Sequence, residues 1–133
     1  MTPAIVLATV AVGAGAAVLR YLVSLAFARP SRPGGRVDFP WAVLVVNVVG
    51  SVIGGAVLGL AASGGVDAGI QLILLTGLCG GLTTFSTLGV ETVQLVVAGR
   101  WRAALVSVAA NLAAGTGSAV GAYALFVYVL VIA

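Results

Sequence analysis

Four apolar runs dominate this chain, at roughly 3–28, 39–62, 68–98 and 103–132. A membrane-crossing helix needs about 20 mainly apolar residues, and a barrel strand only about 10. Open sheets are excluded, because their edge N–H and C=O groups find no partner in hydrocarbon. The runs are too long for barrel strands. The expected fold is therefore an all-α integral membrane protein with four transmembrane helices. Charge supports this: 7% of the 133 residues are charged and the mean hydropathy is +1.26, against about 25% charged in soluble domains. So few charges cannot cover a soluble fold of this size. The length suits a single domain over residues 1–133. The first run begins Met1-Thr2-Pro3, without a basic side chain. It is also longer than a signal's apolar core, so it is expected to stay as a span.

Three polar breaks separate the runs, at 29–38, 63–67 and 99–102. The first and third lie on one side of the membrane and carry Arg29, Arg32, Arg36, Arg100 and Arg102, while the second carries no Arg or Lys. The positive-inside rule places those two breaks in the cytoplasm and both termini outside. There is no His, and Cys79 is the single Cys. No disulfide can form within the chain, and no Cys/His metal cluster exists. Asp38, Asp67 and Glu91 are the only acids. Enzyme chemistry has little raw material here, and the scattered arginines make no nucleic-acid stripe.

Nineteen Gly punctuate the spans. Gly50/Gly54, Gly55/Gly59, Gly77/Gly81 and Gly117/Gly121 have the four-residue spacing that lets helix backbones touch in lipid. Spacing alone does not distinguish packing within one bundle from dimerisation. Polar residues inside spans are more telling, because hydrocarbon penalises them. In the second span Asn47 and Ser51 share a face with Gly50 and Gly54. In the fourth, Ser107, Asn111 and Ser118 lie near one face with Gly115. Singly, each is more often a helix–helix hydrogen bond than a transport site. Two Asn on separate spans point to a shared polar pathway.

The third span reads Thr76-Gly-Leu-Cys-Gly-Gly-Leu-Thr-Thr-Phe-Ser-Thr-Leu-Gly-Val-Glu91. It places a double Gly and a hydroxyl cluster at the expected bilayer centre. Membrane helices break where backbone lines a cavity or binds an ion. The run is long enough to hold an unwound segment. A continuous Gly-rich helix, its hydroxyls bonded back to carbonyls, fits the residues equally well.

The run Gly77-Leu-Cys-Gly-Gly-Leu-Thr-Thr-Phe-Ser-Thr87, followed by Glu91, resembles the third-helix signature of the Fluc (CrcB) fluoride-channel family. Asn47-x-x-Gly50-Ser51-x-x-Gly54, Gly99-Arg100-Trp101, Asn111 and the first-span ending Arg20-Tyr21 extend the resemblance to all four helices. Val12 and Ala16 stand where the family usually has Gly, and Leu88 stands where its motif ends in Phe. The resemblance implies a multi-pass protein of a bacterial-type cell membrane, with the third helix broken between Gly80 and Thr84. It implies an antiparallel dimer with two fluoride pores and fluoride export. It also implies a structural sodium ion at the dimer centre, held by the carbonyls of Gly80 and Thr83 from each subunit.

A fluoride pore must replace tightly held water with hydrogen-bond donors, without trapping the ion. Hydroxyls and amide N–H groups can do this. The candidates are Asn47, Ser86, Thr87, Asn111 and Ser118. The family role of Phe85 is to meet the anion with the positive edge of its ring; the bland alternative is core packing. Arg20 is expected at a vestibule, as an anion attractor, a snorkelling side chain or both. A carboxylate on the path would repel fluoride, so Glu91 reads as interfacial or structural, and Cys79 reads as packing.

A small multidrug-type transporter is a rival of similar size, but it needs a carboxylate in the first helix, which this chain lacks. A non-transporting scaffold would explain the small residues but not the hydroxyls around a double Gly. The expected partners are fluoride, lipid, and either a second copy or an oppositely oriented paralogue. The second arises from the Arg bias: an antiparallel homodimer needs one chain to insert both ways, and this charge distribution favours one orientation.

Overall fold

A computed structural model describes residues 2–28 and 38–132; most of the first polar break, with Arg29, Arg32 and Arg36, lies outside them. Helix α1 spans Pro3–Phe27. The Thr2 hydroxyl accepts from the Ile5 N–H, and Pro3 takes a first-turn position where no N–H is needed. Helix α2 spans Trp41–Ala62 and follows Pro40.

The third run is not one helix. It opens as α3, Ala68–Leu72, whose N-terminus is capped by Asp67: Oδ1 accepts from the N–H groups of Gly69 (2.8 Å) and Ile70 (3.1 Å). It then widens into a π-helical stretch, Ile73–Cys79, and tightens again as α4, Gly80–Leu82. Thr83 and Thr84 are extended, with φ/ψ of −80°/155° and −149°/122°. Helix α5 restarts at Phe85 and runs to Val97. The expected break is therefore real and narrower than the Gly80–Thr84 interval: Gly80 and Gly81 are helical, and the two threonines are the unwound residues. The π-helical stretch before it had no counterpart in the sequence reading. Gly99, at φ +73°, reverses the chain into α6, Trp101–Ile132. The third break is thus shorter than expected, because Trp101 and Arg102 already belong to α6.

Counting α3–α5 as one bent span, four spans among the described residues are long and apolar enough to cross a membrane. Their packing is inverted relative to a soluble protein. Large side chains such as Leu7, Leu19, Leu105 and Leu112 are exposed, and small residues sit at the helix contacts. This suits a lipid solvent, which gives apolar side chains no reason to turn inward.

Two parallel seams organise the bundle. Along α2 and α6, Asn47 meets Asn111, Ser51 meets Gly115, Gly55 meets Ala119 and Gly59 meets Tyr123, always 64 residues apart. A Cβ on Gly55 would drive into the Ala119 carbonyl, and one on Gly59 would reach 2.8 Å from the Tyr123 carbonyl. Along α1, Gly77 and Gly81 lie against the backbone of Thr9 and Gly13. Gly50 abuts the Thr83 side chain, and Gly54 faces Cys79 Sγ. Asn47 and Ser51 therefore face α6, while Gly50 and Gly54 face the third span, rather than all four sharing one contact. Three of the four paired-glycine motifs serve packing within the chain; nothing lies near a Cβ built on Gly117 or Gly121. A small cluster of Ala16, Val46 and Leu82 closes the centre beside the break.

Candidate functional site at the third-span break

Unwinding Thr83 and Thr84 frees backbone groups at a depth where water is scarce, so side chains must satisfy them. Asn47 does this from α2. Its Oδ1 accepts from the Thr84 N–H at 2.9 Å, and its Nδ2 donates to the Thr84 carbonyl at 3.3 Å. The second Nδ2 hydrogen goes to Asn111 Oδ1 at 2.8 Å. Asn111, from α6, donates in turn to the carbonyl of Ser107 at 2.9 Å. From α1, Arg20 Nε donates to the Gly81 carbonyl at 3.2 Å. Spans α1 and α2 thus send a polar side chain to the break or its edge, and α6 supports it through Asn111 on Asn47.

The hydroxyls form a second layer. Thr84 Oγ1 caps α5 by accepting from the Thr87 N–H at 3.2 Å. It also lies 3.2 Å from Ser86 Oγ and 3.0 Å from Thr87 Oγ1. Thr84 is buried, Ser86 is exposed and Thr87 lies between, so the trio leads from the interior to the subunit surface. Beside it, an open cleft of about 250 Å³ between α1 and α2 is lined by Arg20, Tyr21, Ser24, Thr84 and Thr87, with Val43 and Val46. Its guanidinium gives it a positive potential.

Phe85 does not join this network. It is 86% exposed and lies on the outer face of the subunit, so it is not core packing within one chain. Leu88, one turn on, is buried. Ser118 is half-buried on α6, two turns beyond Asn111 and outside the hydrogen-bonded group. Glu91 Oε2, Thr92 Oγ1 and Ser107 Oγ are buried without a hydrogen-bond partner. Cys79 is buried beside Gly54, as packing requires.

The carbonyls of Gly80 and Thr83 are released by the same rerouting. An unbroken ladder would send the Thr84 N–H to Gly80 and the Thr87 N–H to Thr83. Those donors go instead to Asn47 Oδ1 and Thr84 Oγ1. Gly80 is exposed, and a Cβ there would meet only the Leu75 carbonyl, at 3.8 Å. Carbonyl oxygens without a ladder partner are the ligand type that a hard cation takes. Among the described residues no three His, Cys, Asp or Glu gather as a side-chain metal site.

Sequence reasoning named Thr84, Gly81 and Ser107 as part of the hydroxyl cluster, the double Gly and a polar face, but gave none of them a role at the site. Thr84 had a signal, a hydroxyl residue just before a helix start. Gly81 and Ser107 act through carbonyls, which every residue carries, and no sequence pattern marks that role.

The chain matches the family model described as CrcB-like protein, Camphor Resistance (CrcB), over residues 7–123. It is 42% identical over 111 residues to "Fluoride-specific ion channel FluC 1" of Thermobifida fusca, covering 83% of this chain and 86% of that one. It is 43% identical over 99 residues to "Fluoride-specific ion channel FluC" of Roseiflexus sp., covering 71% and 77%. With "Fluoride-specific ion channel FluC 1" of Nitrobacter hamburgensis the identity is 37% over 100 residues, covering 74% and 76%. The match takes in the break and every side chain that reaches it, and the chain belongs to the CrcB family.

Proposed function

We propose that this chain is one subunit of a fluoride-specific channel in the cell membrane, through which fluoride leaves the cell passively. The observation that carries this is the convergence of uncharged donors on an unwound segment inside an apolar bundle, beside a cleft holding one arginine. The names of the relatives support the choice of ion.

Arg20 raises the local anion concentration at the cleft. Past it, the hydroxyls of Thr87 and Ser86 offer O–H donors in place of water. The amide of Asn47 has both N–H groups engaged, so an anion at this depth takes one of them over. The 3.3 Å bond to the Thr84 carbonyl is the longest of the three and the one to yield. The remaining N–H of Asn111 and the hydroxyl of Ser118 extend the donor path along α6. Past Arg20 none of these groups is cationic, which lets the ion leave as well as enter.

Phe85 cannot line a path inside a lone subunit, since its ring faces outward. A second, antiparallel subunit covering that face would turn the ring edge toward the anion. The carbonyls of Gly80 and Thr83 from both subunits would then hold a sodium ion, whose charge offsets four facing carbonyl dipoles. The partner is either a second copy or an oppositely biased paralogue, the second favoured by the Arg distribution.

No carboxylate lies within α1, which argues against a multidrug-type transporter, and a scaffold needs no hydroxyl layer. The test is efflux from liposomes holding this protein, with its paralogue where required. Fluoride should pass and chloride should be held back. Equal permeation of the two ions would overturn the reading. Replacing sodium by choline should lower the melting temperature of the assembled pair; an unchanged value would remove the sodium assignment.

A further inference from the structure

We propose that Asn111 is a positioning residue, which fixes the amide orientation of Asn47 and through it the geometry of the Thr83–Thr84 break.

A side-chain amide is nearly symmetric in shape, and a half-turn exchanges its acceptor and its donor. The bonds to Thr84 need one orientation only, with oxygen toward the N–H and nitrogen toward the carbonyl. One of those two bonds is long, at 3.3 Å. The shortest bond made by the Asn47 amide is to Asn111 Oδ1, at 2.8 Å. Asn111 is an amide too, so its own orientation must be set from elsewhere. A backbone carbonyl sets it: the Ser107 oxygen can only accept, so Asn111 must present Nδ2 to it, at 2.9 Å, and Oδ1 to Asn47.

Orientation therefore passes in one direction. The rigid backbone of α6 fixes Asn111, Asn111 fixes Asn47, and Asn47 holds the unwound residue of the third span. The relay is buried at its α6 end: Asn111 is 8% exposed and Ser107 fully buried, while Asn47 is half-buried. The constant seam between α2 and α6 keeps the two amides opposite each other, since Gly55 and Gly59 let the backbones touch about two and three turns further along.

The proposal rests on the channel reading only for its consequence in flux. Its test does not, because it reads the break itself. Hydrogen exchange at the Thr84 amide would be followed by NMR in nanodiscs, for the parent protein, Asn111→Leu and Asn111→Asp. Leucine keeps the volume and removes the acceptor. Aspartate keeps an oxygen for Asn47. Losing one buried hydrogen bond should speed Thr84 exchange roughly tenfold in Asn111→Leu, with amides in the middle of α1 unchanged. Asn111→Asp, read with the new carboxyl protonated so that its O–H still donates to the Ser107 carbonyl, should stay within about threefold of the parent, because Asn47 keeps its partner. In an Asn47→Leu background, Asn111→Leu should add no further change, since its effect runs through Asn47. Equal exchange in the parent and both variants would overturn the proposal, as would equal acceleration by Leu and Asp, which marks a packing role. If Asn111→Leu does not assemble, Asn111→Asp decides alone: retained Thr84 protection supports the relay and lost protection ends it. Fluoride flux measured in parallel keeps the two readings apart, because an ion other than fluoride could pass while the exchange pattern held.

Discussion

Asn47 makes to Thr84 both of the hydrogen bonds that a neighbouring strand would make, taking its N–H at 2.9 Å and serving its carbonyl at 3.3 Å. One residue of a two-residue extended stretch is thus paired in the middle of a helical bundle, by a side chain 37 residues away. Removing the amide leaves a buried donor and two acceptors without partners. Asn47→Ala is expected to lower stability by roughly 2–4 kcal/mol. Asn47→Asp should do at least as much harm, because it aims an oxygen at the Thr84 carbonyl and at Asn111 Oδ1. Denaturant unfolding in detergent measures both; an Ala variant as stable as the parent would contradict the pairing.

Phe85 separates function from folding. Its side chain touches little within the subunit, so Phe85→Ala should leave the subunit's fold and melting temperature close to the parent. If the ring edge meets the anion, flux should fall about tenfold, the upper range of a ring-edge contact. Liposome efflux with a size-exclusion check on assembly distinguishes the outcomes. An assembled variant with normal flux would make Phe85 a surface residue without a role in the path.

Glycines with the same spacing should respond differently. At Gly55 an added methyl meets the Ala119 carbonyl, which belongs to backbone and cannot rotate away. Gly55→Ala should therefore destabilise the bundle by about 1–3 kcal/mol, as overpacking does. Gly117 has open space around it, so Gly117→Ala should be neutral or gain up to about 1 kcal/mol from helix propensity. Paired thermal melts test the contrast within one experiment.

The Arg distribution makes a topological prediction. Expressed alone, the chain should insert with Arg100 and Arg102 in the cytoplasm and both termini outside. Reporter fusions at each terminus measure this. A single orientation would require an oppositely inserted partner chain for an antiparallel pair. Termini found on both faces, together with flux from the lone chain, would establish a homodimer.

The four spans were legible from the sequence because hydrocarbon admits few backbone solutions. A run of apolar residues long enough to cross must be helical, and its ends are marked by Pro, Gly and Arg. The break was half legible: Gly80-Gly81 and the hydroxyls flagged the region, but local chemistry allowed a continuous helix as well. The unwinding falls on Thr83 and Thr84 because Asn47, on another helix, replaces the ladder bond that Thr84 gives up. No local pattern can encode a partner 37 residues away.

The same limit governs the site. Asn47, Asn111, Ser86, Thr87 and Arg20 stood out as polar residues in apolar spans, and the family resemblance pointed to the same positions. Their roles depend on the α2–α6 register, which sets Asn47 against Asn111, and on Gly77 and Gly81, which bring α1 near enough for Arg20 to reach the Gly81 carbonyl. Residue type determined which groups were costly to bury. Which of them satisfy one another, and which are left to face an ion, was decided only when the helices packed, because hydrogen bonds depend on distances that sequence spacing cannot give.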